Sequence, residues 1–358
     1  MGKKLNLFYE EPDPDRWLPF DRYPRKVIRR LVRGRPRVGG QQRVFINLCV
    51  GLDKIGVKYR INDYRHIHRH PEELACIIGK PQLLDKIPWK NPILFGAAVF
   101  SHPLANPGLL KRLPIQKVLV PGEWIRKMFE PYYGDKVAVW PVGIDTNLWK
   151  PIQNIESRKQ KAEINKSKIE IRKIESRNDS DWATTGHKTT DFLIYDKVRW
   201  EHERYERELI QPIRNGLKKR GLSFTEIRYG FYDEEDFHRL LQQCRAMIFL
   251  CEHETQGIAY QQTLSCGVPI LAWDRGGFWQ DPAYYPHKVK FQPVSSVPYW
   301  DERCGMKFEN ISQFSGRLDG FWPKVQAGTF RPRNYILEHL TLEKCAKAYL
   351  QFCEDCHK

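Results

Sequence analysis

The chain has 358 residues but no uninterrupted apolar run of about 18, so no segment is built to cross a bilayer as a helix. It is short of acid: 43 Asp and Glu stand against 59 Lys and Arg, a net charge of +16. That imbalance points to an anionic partner, whether nucleic acid, an anionic membrane or a phosphorylated substrate. The start, Met1 to Asn6 (MGKKLN), has no apolar core of the secretory kind, and Asn6 stands where N-myristoylation requires Ser or Thr. The nine cysteines are scattered, and Cys49, Cys76 and Cys251 fall inside apolar runs, so they read as reduced core residues of a cytoplasmic protein. Cys353, Cys356 and His357 match a haem-attachment spacing. Attachment requires export and a domain built round the haem, so the match reads as coincidence.

Acid is missing altogether from Arg22 to Arg43, a stretch with nine Lys and Arg. Within it Val27, Ile28, Leu31 and Val32 share one helical face, while Arg25, Lys26, Arg29, Arg30 and Arg33 cover the other. Such a basic amphipathic helix fits an interfacial membrane segment, and equally a surface helix packed by its apolar stripe. No recognised nucleic-acid motif accompanies it, so nucleic acid is not an expected partner. Asp13 and Asp15, and again Asp179 and Asp181, form stray Asp-x-Asp pairs without a preceding buried strand. His66, His68 and His70 alternate with Ile67 and Arg69 before a proline and read as an exposed loop, not as metal ligands.

What the chain does have is a sharply organised stretch from Cys251 to Asp274 (CEHETQGIAYQQTLSCGVPILAWD). Ala246 to Leu250 before it is a buried strand. Glu252 to Gln256 breaks the strand, a helix starts at Gly257, and Cys266 to Pro269 stops it with Gly and then Pro. Ile270 to Trp273 is the next strand. Strand, loop, helix and strand at this spacing make a parallel βαβ unit, and such units place ligands at the carboxyl end of the first strand, here Glu252 to Gly257. A carboxylate there, beside free N–H groups of a helix start, suits hydroxyls next to a phosphate.

This stretch resembles the donor-binding signature of GT-B glycosyltransferases, specifically the retaining family 4, which has two Glu residues eight positions apart. Glu254 takes the first place, while the second holds Gln262, a departure that leaves a hydrogen-bonding side chain without charge. The resemblance implies that Glu254 meets the transferred sugar and Gln262 the ribose, with Gln256, Gly257 and Ile258 at the helix opening beside the donor. Gly39 and Gly40, before a helix that Gly56 closes, resemble the first loop of that fold, where backbone approaches the donor diphosphate. His102, just past the strand from Ile93 to Val99, resembles the histidine that brackets the sugar. Gly143 to Asp145 resembles the turn that closes the first domain at the interdomain cleft, which implies a donor contact for Gly143, and Gly230 with Phe231 resembles the turn bordering the base. The family has an Arg at the end of the first strand of its second domain and a Lys five or six residues on. Lys197 takes the first place, with Arg199 and Arg204 as further candidates.

The expected fold class is therefore α/β: two doubly wound Rossmann-like domains facing a central cleft. Residues 1–150 form the acceptor-side domain, with the basic segment 22–43. Residues 151–190 form a charged linker, 191–335 the nucleotide-sugar domain and 336–358 a terminal helix. The implied reaction moves a sugar from a nucleotide-sugar to an acceptor hydroxyl with retention, in cell-envelope or polysaccharide biosynthesis. It needs no metal and no cofactor, with Glu254, His102 and Lys197 in the catalytic roles. Expected partners are the nucleotide-sugar, a glycan or lipid-linked acceptor, and an anionic surface on the inner face of the membrane. Two other readings stay open on the residues: a non-catalytic relative, for which Gln262 speaks, and a membrane- or nucleic-acid-associated module that uses the basic segment.

Overall fold

The computed structural model describes residues 4–11, 39–96, 101–151 and 188–356. The membrane-contact candidates Arg25, Lys26, Arg29, Arg30 and Arg33, both Asp-x-Asp pairs, most of the linker, residues 97–100 and His357 lie outside them.

The first domain runs β1 (Leu5–Phe8), α1 (Gly40–Lys54), β2 (Tyr59–Ile61), α2 (Tyr64–Arg69), β3 (Ala75–Ile77) and β4 (Ile93–Phe95). It continues with α3 (Leu109–Arg112), β5 (Ile115–Val120), α4 (Glu123–Tyr133) and β6 (Val137–Val139). Its six strands pair in the order β2-β1-β3-β4-β5-β6, all parallel. Residues such as Ile77, Phe95 and Leu119 are fully buried, as expected where helices cover both faces of a parallel sheet.

The second domain runs β7 (Thr190–Asp196), α5 (His202–Tyr205), α6 (Gln211–Lys219), β8 (Phe224–Arg228), α7 (Glu234–Gln243), β9 (Cys244–Leu250), α8 (Ile258–Ser265) and β10 (Ile270–Trp273). Then follow β11 (Gly305–Phe308), α9 (Ile311–Gln326), α10 (Pro332–His339) and α11 (Leu342–Asp355). Its sheet order is β11-β10-β9-β7-β8, also parallel throughout. The chain winds outward from β7 to β8 and then crosses to β9 on the other side of β7. The switch crevice therefore opens at the carboxyl ends of β7 and β9, where ligands bind in such sheets.

Two segments tie the domains together. Helix α11 leaves the second domain and packs on α1 of the first. Trp140 Nε1 donates to Cys345 O at 2.8 Å, and Cys353 Sγ lies 3.8 Å from Cys76 Sγ in the first domain's core. That burial gives Cys353 a structural place in the core. The residues between β10 and β11 reach back the other way: Trp279 and Val294 are buried in one cluster with Phe95, Trp124 and Phe129.

Three features depart from the sequence reading. Residues 65–69 are not a loop: they lie in α2, which His70 ends and whose first turn is capped by Asp63 accepting from the His66 N–H at 3.0 Å. Ile67 is the inward-facing residue that anchors it. The helix after β7, which the sequence reads as continuous from Glu201 to Leu217, is interrupted by a π-turn at Glu206–Ile210. Helix α9 was not foreseen; its Phe314, Leu318 and Phe321 seal one face of the second sheet. Among the described residues no helix is long and apolar enough to cross a membrane.

Candidate functional site

The loop after β9 and the loop after β7 meet across the switch crevice. Lys197 follows β7 directly, and its backbone N–H still donates to Leu250 O at 2.8 Å, so the sheet itself fixes its position. Its ammonium is ion-paired and hydrogen-bonded to Glu254, whose side chain is buried, while that of Lys197 is 13% exposed. The Tyr229 ring, after β8, covers the ammonium at 4.4 Å. Burial alone would lower the Lys197 pKa, but Glu254, with Cys251 and Tyr229, outweighs it and holds the ammonium above its ordinary range.

Glu254 is held through its backbone from two sides. Its N–H donates to Ser295 O at 2.9 Å, and its carbonyl accepts from Trp124 Nε1, in the first turn of α4 of the other domain, at 2.9 Å. Gln256 crosses the cleft as well: its Oε1 accepts from the Val142 N–H at 3.1 Å. Gly257 sits at φ +76°, and a Cβ there would lie 2.0 Å from the Tyr260 ring, so only glycine fits the entry to α8. Ile258 then packs against the cores of both domains.

Other expected residues take different surroundings. Gln262 is buried on α8, with its Nε2 donating to Glu234 Oε1 at 3.3 Å, and Glu234 is ion-paired to Arg43 of α1. Gly39 is the residue before α1, and space is open around Gly39 and Gly40. The Gly-Gly end of α1 thus faces Gln262 across a carboxylate that the sequence reading missed. Gly230 lies in the turn after β8, and Phe231 beside it is 75% exposed. Arg199 stacks on Trp200 at 4.5 Å. Arg204 turns to the surface, paired to Glu201 at 2.7 Å and Glu208 at 2.9 Å. His202, at the place of the family lysine, bonds to Asp196 Oδ2 at 2.6 Å through Nε2. Gly143 is packed on the backbone of Thr341 and Leu342, and its carbonyl accepts from Asn47 Nδ2 at 2.8 Å.

His102 lies among aromatics: Tyr132 at 5.1 Å, Tyr284 at 5.5 Å and Trp279 at 5.8 Å between ring centres. Its Nδ1 accepts from the Leu104 N–H at 3.2 Å, and burial pushes its pKa down to about 4. His253, between Trp124 at 5.5 Å and Trp200 at 5.1 Å, is pushed down to about 2 by burial, then by the charges of Arg199, Arg275 and Lys197. For both, the unfolded chain binds the proton more readily than the folded one. Their contribution to stability is therefore complete above the ordinary histidine value of about 6.5 and is lost as the pH falls below it, toward about 4 for His102 and about 2 for His253. The melting temperature is expected to drop between about pH 7 and pH 4.5, and to drop less steeply in His253→Phe. Differential scanning calorimetry across that range checks this; equal slopes would contradict the assignment.

No family model matches the chain, and no curated protein matches it in sequence. Its fold is similar to that of solved structures. HepE of Anabaena in complex with UDP superposes with a TM-score of 0.56 at 10% identity, covering 99% of this chain and 100% of that one. WaaG, a glycosyltransferase involved in lipopolysaccharide biosynthesis, gives 0.51 at 12% identity over 98% and 99%. Sucrose-phosphate synthase of Thermosynechococcus elongatus gives 0.52 at 10% identity over 88% and 93%. The architecture is that of the GT-B fold.

Proposed function

We propose that the protein is a glycosyltransferase that moves a sugar from a nucleotide-sugar to an acceptor hydroxyl, retaining configuration, without metal. The observation that carries this reading is the partly buried Lys197–Glu254 pair where the loops after β7 and β9 meet at the switch crevice. Lys197 is the cation suited to the charge that grows on a leaving diphosphate, and a fixed cation in a water-poor site stabilises that charge more than water does. Glu254 is an acceptor for sugar hydroxyls once its ammonium partner turns toward phosphate. Trp124, Gln256 and Tyr299, which donates to Pro121 O at 2.5 Å, hold the facing domain against this loop, an arrangement suited to excluding water. The likeness to a UDP-bound structure and to a lipopolysaccharide glycosyltransferase supports a uridine donor and a cell-envelope or polysaccharide acceptor as the first to try. In this reading the basic segment 22–43 holds the enzyme on the inner membrane face, near a lipid-linked acceptor.

Incubation with UDP-glucose, GDP-mannose and ADP-glucose in excess EDTA tests the proposal. Release of one nucleoside diphosphate is expected, reduced by about a hundredfold or more in Glu254→Gln. No release from folded protein with any donor would count against it. A second reading, a non-catalytic relative, has Gln262 and the Glu234–Arg43 pair in its favour. It expects nucleotide-sugar binding without turnover.

A further inference from the structure

The helical state of α2 decides which of its histidines can act together. His66 and His70, which ends the helix, stack with ring centres 4.3 Å apart, while His68 is exposed to solvent. Histidines four residues apart on one helical face are a chelating pair for zinc-like ions.

The turn after α2 brings two carboxylates to this pair. His66 Nε2 lies 2.9 Å from Glu73 Oε2, and His70 Nδ1 lies 3.4 Å from Glu72 Oε1. Ligand atoms of His70, Glu72 and Glu73 fall within 4.8 Å of one another. Zinc holds nitrogen and oxygen at about 2.0–2.2 Å, so its tetrahedral ligand atoms stand about 3.3–3.4 Å apart. The spacings here span that value, and the solvent-facing ends of His70 and Glu72 can close the remainder by rotation.

The inner half of the cluster is fixed by buried groups. Glu73 Oε2 accepts from Asn6 Nδ2 at 2.8 Å, and Asn6 is 3% exposed. An outer partner of this kind orients a ligand carboxylate. Buried Asn91 donates to the carbonyls of His70 at 2.7 Å and Glu73 at 3.0 Å, which pins the turn between α2 and β3. Arg60 Nη1 stands 4.0 Å from Glu73 Oε2. With both imidazoles neutral, two carboxylates against this guanidinium leave a net negative charge that favours a cation.

We infer that His66, His70, Glu72 and Glu73 form a site for one divalent cation of the zinc class. Two nitrogens and two carboxylate oxygens suit a borderline ion, whereas magnesium and calcium take oxygen ligands. The site lies at the amino ends of β1 and β3, where Asn6 pairs with Ala75, away from the carboxyl ends that bind ligands in such sheets. It is therefore separate from the metal-free transfer proposed above, and the bound ion fastens α2 to the sheet.

Calorimetric titration of the untagged full chain with zinc chloride tests this. A single ion per chain is expected, and the melting temperature should rise with zinc and return on addition of EDTA. An excess of magnesium should not displace the zinc. His66→Ala and His70→Ala should each weaken zinc binding by about a hundredfold or more, since loss of a mere outer partner already costs about tenfold to a hundredfold. His68→Ala should bind zinc as wild type does. All three side chains reach solvent, and circular dichroism checks that the variants fold; either ligand variant carries the test if the other unfolds. No zinc uptake by folded wild type overturns the site. So does uptake that a folded His66→Ala or His70→Ala leaves unchanged, or an equal loss in His68→Ala. None of these results touches the donor site, which is assayed in EDTA.

Discussion

Lys197→Ala is expected to lower donor turnover by about a hundredfold or more and to destabilise the fold by about 3 kcal/mol. Two losses combine in it. The cation that faces the leaving diphosphate disappears, and Glu254 is left buried without its counter-charge. Leaving one member of a buried ion pair behind costs far more than removing both, because the remaining charge keeps its desolvation penalty. The two effects therefore separate in a double variant. Lys197→Met with Glu254→Gln should regain most of the stability in urea denaturation and none of the turnover. If the double variant stayed as unstable as Lys197→Ala, the pair would not be the source of the loss. If Lys197→Ala kept its turnover, the cation would have no part in the chemistry.

Gly143→Ala has the second large effect, and it falls on stability. A Cβ at this residue would lie 2.6 Å from Leu342 Cα, 2.7 Å from Thr341 O and 2.8 Å from Leu342 N. All three are backbone atoms at the start of α11, so relief requires that helix to move. It is held by the Ile144 N–H donating to Leu340 O at 2.8 Å and by Trp140 on Cys345. Overpacking against backbone of this kind costs about 2–3 kcal/mol. Thermal unfolding should shift down by several degrees, with donor affinity at low temperature unchanged. A stable variant with lost donor affinity would instead give Gly143 the donor contact that the family resemblance implies.

The two Rossmann-like halves were legible because parallel strands buried on both faces leave short, nearly continuous apolar runs, such as Ala246 to Leu250 and Ile270 to Trp273, between glycine and proline punctuation. The meeting of Lys197 with Glu254 was legible only through the motif, because 57 residues separate them and topology alone brings them together. What stayed hidden is tertiary. Glu234 carries no local mark that places it beside Gln262. Glu252 and His253 read as a polar break in a strand, and nothing in their spacing says that they are buried. Residues 65–70 read as a loop because the alternating His and Arg mask a single anchoring residue, Ile67. Residues 336–358 read as a terminal helix, but which domain the apolar face of α11 covers is decided by shape complementarity with α1, which no periodicity encodes.

The measurement that bears most directly on the Lys197–Glu254 site is calorimetric titration of wild type and Lys197→Ala with UDP, GDP and ADP in EDTA, at a temperature where both are folded. One diphosphate should bind to wild type, and Lys197→Ala should lose about tenfold to a hundredfold in affinity for it. Equal affinity in the two proteins, or no binding of any diphosphate to folded wild type, would contradict a donor site at the β7–β9 crevice.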